Sequence, residues 1–137
     1  MKTLISTSID GCVVAVFGKT APSGADWTEY LGLVQRDVLT SPRQRGLIVS
    51  HGGTPENSQR RELERVTGRS AAGRRLAVLT NATFVRGVLK AMSIFDPSYR
   101  GFSLSDLDLA LRYLEVPERS WSEIQRLVQQ ASADLGC

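Results

Sequence analysis

Leu4-Ile5-Ser6-Thr7-Ser8-Ile9-Asp10-Gly11-Cys12-Val13-Val14-Ala15-Val16-Phe17 is the stretch on which the fold turns. An Asp-Gly pair between two apolar runs marks a two-residue hairpin, because a type I′ turn needs positive φ at both of its central residues. Two antiparallel strands joined at Asp10-Gly11 therefore open the chain. Further on, Gly46-Leu47-Ile48-Val49-Ser50 and Leu76-Ala77-Val78-Leu79-Thr80 are short, continuous apolar runs. That is the pattern of strands buried on both faces.

The intervening segments carry helical spacing. Trp27, Tyr30, Leu31, Val34 and Val38 predict a helix over residues 26–39, which Ser41-Pro42 ends because the residue before proline avoids the α region. A second helix, over 55–68, has Pro55 in its first turn and Gly68 just past its end. Its chief apolar positions are Leu63 and Val66, so most of it should face water. Asn81 reads as the cap of a helix in which Phe84, Val85, Val88, Leu89, Met92 and Phe95 form one stripe, broken by Asp96-Pro97. A short strand is expected near Tyr99–Phe102. Ser103-Leu104-Ser105-Asp106 and Ser120-Trp121-Ser122-Glu123 both read as capping boxes. The helices they open should bury Leu104, Leu107, Leu111 and Leu114, then Trp121, Ile124, Leu127, Val128 and Ala131. The order β-β-α-β-α-β-α-β-α-α implies an α/β fold: a mixed, mostly parallel sheet of about five strands with an antiparallel hairpin strand at one edge and helices on both faces.

Composition bounds the function. The 137 residues are 42% hydrophobic and 23% charged, a globular balance that excludes a disordered chain and fits one domain over 1–137. No apolar run approaches the ~18 residues of a membrane span, and the N-terminal residues do not resemble a signal peptide. Cys12 and Cys137 suit reduced thiols better than a disulfide framework, so the expected location is cytoplasmic. The net charge of +3 has one source: residues 60–75 carry six arginines against Glu62 and Glu64. This is either a patch for anions or a solvated helix face with i,i+4 pairs between those glutamates and nearby arginines. No aromatic residue interleaves with the arginines, so nothing points to a specific nucleic acid.

The element order resembles the STAS domain, and three stretches look like its SpoIIAA-like branch, often labelled STAS/SEC14-type. They are Arg75-Leu-Ala-Val-Leu-Thr-Asn-Ala-Thr-Phe-Val-Arg86-Gly-Val, Phe95-Asp-Pro-Ser-Tyr-Arg-Gly-Phe102 and Ala110-Leu-Arg-Tyr-Leu114. The resemblance implies a bacterial, non-enzymatic signalling module like the anti-sigma-factor antagonists. Its partner would be another protein, either an acidic surface or a regulatory kinase or anti-sigma-like protein, and a homodimer is compatible with it. In such antagonists regulation centres on a serine at the start of the second helix. By count from the Leu47–Ser50 strand the matching run is Asn57-Ser58-Gln59-Arg60, which makes Ser58 the phosphoacceptor candidate. Asn57 stands where that motif is acidic and Arg60 where it has glycine. The SEC14-type alternative implies a small ligand, either a lipid or a nucleotide or phosphate.

Ser50-His51-Gly52-Gly53-Thr54 is the most suggestive short run. A glycine pair between a strand's C-terminal end and a helix can offer backbone N–H groups to an anion, so His51, Gly52, Gly53 and Thr54 join Arg60, Arg61 and Arg65 as candidate anion- or partner-binding residues. His-Gly-Gly also echoes the oxyanion loop of some ester hydrolases, but the chain has no Gly-x-Ser-x-Gly elbow. A small hydrolase using His51, the one histidine, would need a nucleophile within hydrogen-bond reach of it. No catalytic set, no cofactor and no metal-ligand spacing is expected. Trp27 and Trp121 read as core anchors.

Overall fold

The computed structural model describes residues 1–41, 43–67, 74–95 and 98–137. Asp10 (φ 48°) and Gly11 (φ 79°) both occupy the left-handed region, as a type I′ turn requires. They join β1 (Leu4–Ile9) to β2 (Cys12–Phe17) in an antiparallel register running from Leu4↔Phe17 to Ile9↔Cys12. The rest of the sheet is parallel: β2 pairs with β3 (Arg45–Ser50), β3 with β4 (Arg75–Thr80), and β4 with β5 (Tyr99–Phe102). The spatial order is β1-β2-β3-β4-β5, the order of the chain itself.

The helices follow from that order. Successive parallel strands step in one direction, so crossovers of one hand carry their helices over one face. These are α1 (Gly24–Thr40), α2 (Asn57–Thr67) and α3 (Thr83–Phe95). Under them Leu4, Val13, Ala15 and Phe17 pack against Trp27 and Tyr30, with Ile48 and Leu63 at the margin. The opposite face of the sheet is covered by α4 (Leu107–Tyr113) and α5 (Trp121–Asp134). There Val14, Val16, Leu47, Val49 and Leu79 meet Leu111, Leu114 and Ile124, the largest side chains of the main core. Mixed sheet, edge hairpin and helices on both faces agree with the sequence reading. No helix among the described residues is long and apolar enough to cross a membrane. Both cysteines are free, Cys12 buried and Cys137 exposed.

Several local expectations are corrected. Asn81 does not cap α3; its Oδ1 accepts from the Leu104 N–H at 3.1 Å, while Thr80 Oγ1 takes the N–H of Ala82. Phe84 is 71% exposed and so lies off the apolar stripe that Val85 and Leu89 bury. Ser103–Asp106 forms a turn ahead of α4, with the Asp106 N–H donating to the Ser103 carbonyl, instead of a capping box. Ser120 does precede α5, but its hydroxyl is committed elsewhere and makes no cap bond. Pro42, Gly68, Asp96 and Pro97 lie outside the described residues.

Candidate functional site

The turn after β3 is sealed against its neighbour, the loop after β2. His51 N–H donates to the Phe17 carbonyl at 3.1 Å, and Gly53 N–H to the Gly18 carbonyl at 2.9 Å. Gly52 N–H donates to Ser50 Oγ at 3.1 Å, and that hydroxyl donates onward to the Gly53 carbonyl at 2.7 Å. The glycines answer local geometry: Gly52 has φ 124°, and a Cβ on Gly53 would overlap the Thr20 and Gly18 carbonyls. Consequently the N–H groups of His51, Gly52 and Gly53 are all consumed inside the fold. The glycines serve loop-to-loop packing. Among the described residues the strand order has no reversal, the feature that opens a ligand crevice at the carboxyl edge of α/β sheets.

One side chain of the turn does reach a partner. His51 Nε2 stands 2.9 Å from Ser132 Oγ on α5. Sequence reasoning missed Ser132, which is 81 residues away and sits in the last turns of an amphipathic helix with no motif around it. Burial lowers the His51 pKa below its ordinary value, and the positive charge of Lys19 adds to the effect. The ring nitrogen accepts from or donates to the Ser132 hydroxyl according to its tautomer. Among the described residues no carboxylate bonds to the ring to orient it.

A second cluster is built on α2. The helix is anchored by Gln59, whose Oε1 accepts from the Glu56 N–H at 2.9 Å while its Nε2 donates to the Pro22 carbonyl at 3.1 Å. The first bond is the reciprocal half of a capping box and satisfies one amide at the helix entry. The second ties α2 to the loop before α1. With Gln59 the only buried residue of α2, the helix leaves Ser58 exposed in its first turn.

The arginines divide. Arg61 and Arg65 are exposed one turn apart. Arg60 is half-buried: its Nη2 donates to Asn57 Oδ1 at 2.8 Å, while its Nε is buried with no partner. Among the described residues none of the three pairs with a carboxylate, so the expected i,i+4 pairs with Glu62 and Glu64 do not form. The rest of the basic run is elsewhere. Arg74 reaches the Tyr99 hydroxyl at 3.3 Å, Arg75 donates to the Tyr113 carbonyl at 2.7 Å, and Arg69 lies outside the described residues. Of the described members of that run, Arg60, Arg61 and Arg65 stand on α2, and Arg74 and Arg75 at the start of β4. Arg75, with Arg45 donating to the Leu114 carbonyl at 2.8 Å, satisfies the carboxyl end of α4.

Among the described residues no group of three or more His, Cys, Asp or Glu side chains is placed to hold a metal ion. Trp27 is 2% exposed and packs on Tyr30 with ring centroids 5.4 Å apart; Trp121 is half-buried and donates to the Val116 carbonyl at 2.9 Å. Compared with protein-family models, curated proteins and solved structures, the chain matches none.

Proposed function

We propose that the chain is a non-enzymatic docking module that recognises an acidic or phosphorylated protein surface through α2. The observation that carries this reading is the exposed pair Arg61 and Arg65, without carboxylate partners, on the helix that presents Ser58 in its first turn. Guanidinium groups pair bidentately with carboxylates and phosphates, and here no internal acid competes. The element order, and the place of Ser58 on the helix after β3, support kinship with the STAS-type anti-sigma-factor antagonists. On that reading the partner is a regulatory kinase or anti-sigma-like protein in the cytoplasm. Phosphate on Ser58 would sit at the positive end of α2 and add roughly −1.5 to −2 charges beside the arginines, shielding them from an acidic partner. The test is the affinity of an acidic phosphoserine peptide for the wild type and for Arg61→Glu/Arg65→Glu. A loss of about tenfold or more, largest at low salt and without change in thermal stability, supports the reading. Equal affinity at low and moderate salt overturns it.

A second reading rests on the 2.9 Å separation of His51 Nε2 and Ser132 Oγ. In a small ester hydrolase the Ser132 oxygen would attack the acyl carbon while His51 takes its proton. His51 would then return that proton to the leaving alkoxide, and water would release the acyl group. This reading needs turnover of p-nitrophenyl acetate that both Ser132→Ala and His51→Ala abolish.

A further inference from the structure

We propose that the outer edge of β5 takes up an extended, acidic segment of a partner protein as a further strand of the sheet. The inference is independent of the docking reading, which uses the outward pair Arg61 and Arg65 on α2.

Among the described residues β5 pairs only with β4 and ends the sheet. Leu76 N–H donates to the Ser98 carbonyl at 2.9 Å, which fixes the phase of the strand. By alternation Arg100 and Phe102 also turn their backbone groups toward β4, whereas Tyr99 and Gly101 turn theirs outward. Gly101 is exposed, and among the described residues its outward N–H and carbonyl meet no partner. Such an edge is a template for one more strand, and it carries neither a proline nor a bulge to close it. Beside it runs an open cleft of about 570 Å³, walled by α3 on one side and by residues 99–103 on the other. A Cβ on Gly101 would stand 2.6 Å from Leu89 Cδ2, so glycine here lets α3 lie close over the strand.

The charge around the cleft selects the occupant. Arg86, Lys90 and Arg100 line it against one acid, Asp106. Arg86 Nε donates to the Thr80 carbonyl at 3.0 Å, which pins the base of an exposed side chain at the cleft wall. Lys90 follows one turn later on α3. Arg100 lies on the other side of the strand, its guanidinium 4.8 Å from the centre of the Tyr113 ring. The cations thus flank the edge on both faces of the sheet. Side chains of an added strand alternate between those faces, so acids in either phase meet a cation. A second copy of the same edge would bring like charges together, which is destabilising, so the complement is an acidic segment of another protein. Backbone bonds to β5 would supply the affinity, and the three cations the selection.

The experiment titrates the intact chain with a capped hexapeptide of alternating glutamate and valine, followed by calorimetry and by amide hydrogen exchange of Gly101. The controls are the lysine-valine hexapeptide and two glutamate-valine forms, N-methylated either at the glutamates or at the valines. The acidic peptide should bind at about millimolar concentration or below and slow Gly101 exchange at least about tenfold at saturation. The lysine peptide should bind at least about tenfold more weakly, and at least one N-methylated form should lose binding because it cannot pair with the strand. Arg86→Glu/Lys90→Glu should weaken the acidic peptide at least about tenfold, while Arg61→Glu/Arg65→Glu should leave it unchanged. Should the first variant fail to fold, salt decides on the wild type: affinity should fall at least about threefold from about 50 to about 300 mM. No binding of the acidic peptide overturns the proposal. So does binding that leaves Gly101 exchange unaltered, that survives N-methylation in both phases, or that the lysine peptide matches. Loss of binding in Arg61→Glu/Arg65→Glu alone would place the peptide on α2 and overturn the β5 site while leaving the docking reading intact.

Discussion

Ser120 donates its hydroxyl to Asp10 Oδ2 at 2.8 Å, so residues 110 apart in sequence close one corner of the fold. Asp10 thus has two duties. It takes φ 48° in the hairpin turn and anchors the start of α5, where Arg119 also approaches its carboxylate at 3.3 Å.

Separating the two duties gives the first prediction. Ser120→Ala should cost about 1 kcal/mol, the worth of one hydrogen bond to a partly exposed carboxylate. Asp10→Asn keeps a residue that tolerates the left-handed region and an oxygen to accept from Ser120, so it should cost less. Asp10→Ala loses both functions and should cost about 2 kcal/mol. Urea midpoints of the three variants check the order. Equal midpoints for Asp10→Asn and Asp10→Ala would contradict it.

Asp26 sets the acid limit. Burial acts to raise its pKa, but the N–H and hydroxyl of Thr3, the Lys2 ammonium and the N–H of Leu4 outweigh that, taking it from 3.8 to about 2. A carboxylate depressed by folding stabilises fully above its unfolded value and loses that contribution as pH falls through the folded one. Stability should therefore drop between pH 3.8 and about 2. Asp26→Asn should flatten the drop and cost about 2 kcal/mol at neutral pH, as the charge-assisted bonds from Thr3 and Leu4 weaken. Urea unfolding of both proteins at stepwise pH measures this, and identical acid limbs would remove Asp26 as the cause.

The two thiols should behave oppositely. Burial, helped by the Asp37 carboxylate, pushes Cys12 up to about 12, whereas Cys137 is exposed. A disulfide reagent at mild alkaline pH should titrate one thiol in the folded chain and two after denaturation. Cys137→Ser should leave the native protein silent. Rapid native labelling of that variant would show that the β2 face opens.

His51 gives a stability change at milder pH. Its pKa lies below 6.5 because the ring is partly buried near Lys19, so folding favours the neutral form. That contribution is complete above the unfolded value of 6.5 and declines as pH falls below it toward the folded value. His51→Gln should reduce the slope of melting temperature against pH on the acid side of neutrality. An unchanged slope would mean that another group titrates there.

The sheet was legible because its signals are local and redundant. The Asp-Gly pair dictates its own turn, and the apolar runs at Leu47–Val49 and Leu76–Leu79 admit little besides buried strands. The caps were less legible, since a serine hydroxyl or an asparagine carbonyl bonds whichever donor or acceptor the tertiary fold brings nearest. Asn81 therefore serves Leu104, and Ser120 serves Asp10. The candidate site was half legible. Ser58, Arg61 and Arg65 lie on a water-facing helix as its few apolar residues implied, whereas the half-burial of Arg60 on the same helix depends on tertiary packing that no local pattern encodes. His51 was visible as a lone histidine, but its partner Ser132 belongs to a distant helix face and left no local trace.

Because the strands lie side by side in the order in which they are made, the sheet can grow from one end as synthesis proceeds. Each new strand needs only the edge left by the previous one, and no paired residues lie farther apart in sequence than Cys12 and Arg45, so no pairing waits for a distant part of the chain. The two sides mature at different times. The face under α1, α2 and α3 can close while translation continues, whereas the opposite side, with Leu47, Val49 and Leu79, stays uncovered until α4 and α5 have emerged. The segment carrying α4 and α5 is therefore the step at which a nascent chain stops exposing this face to chaperones and aggregation.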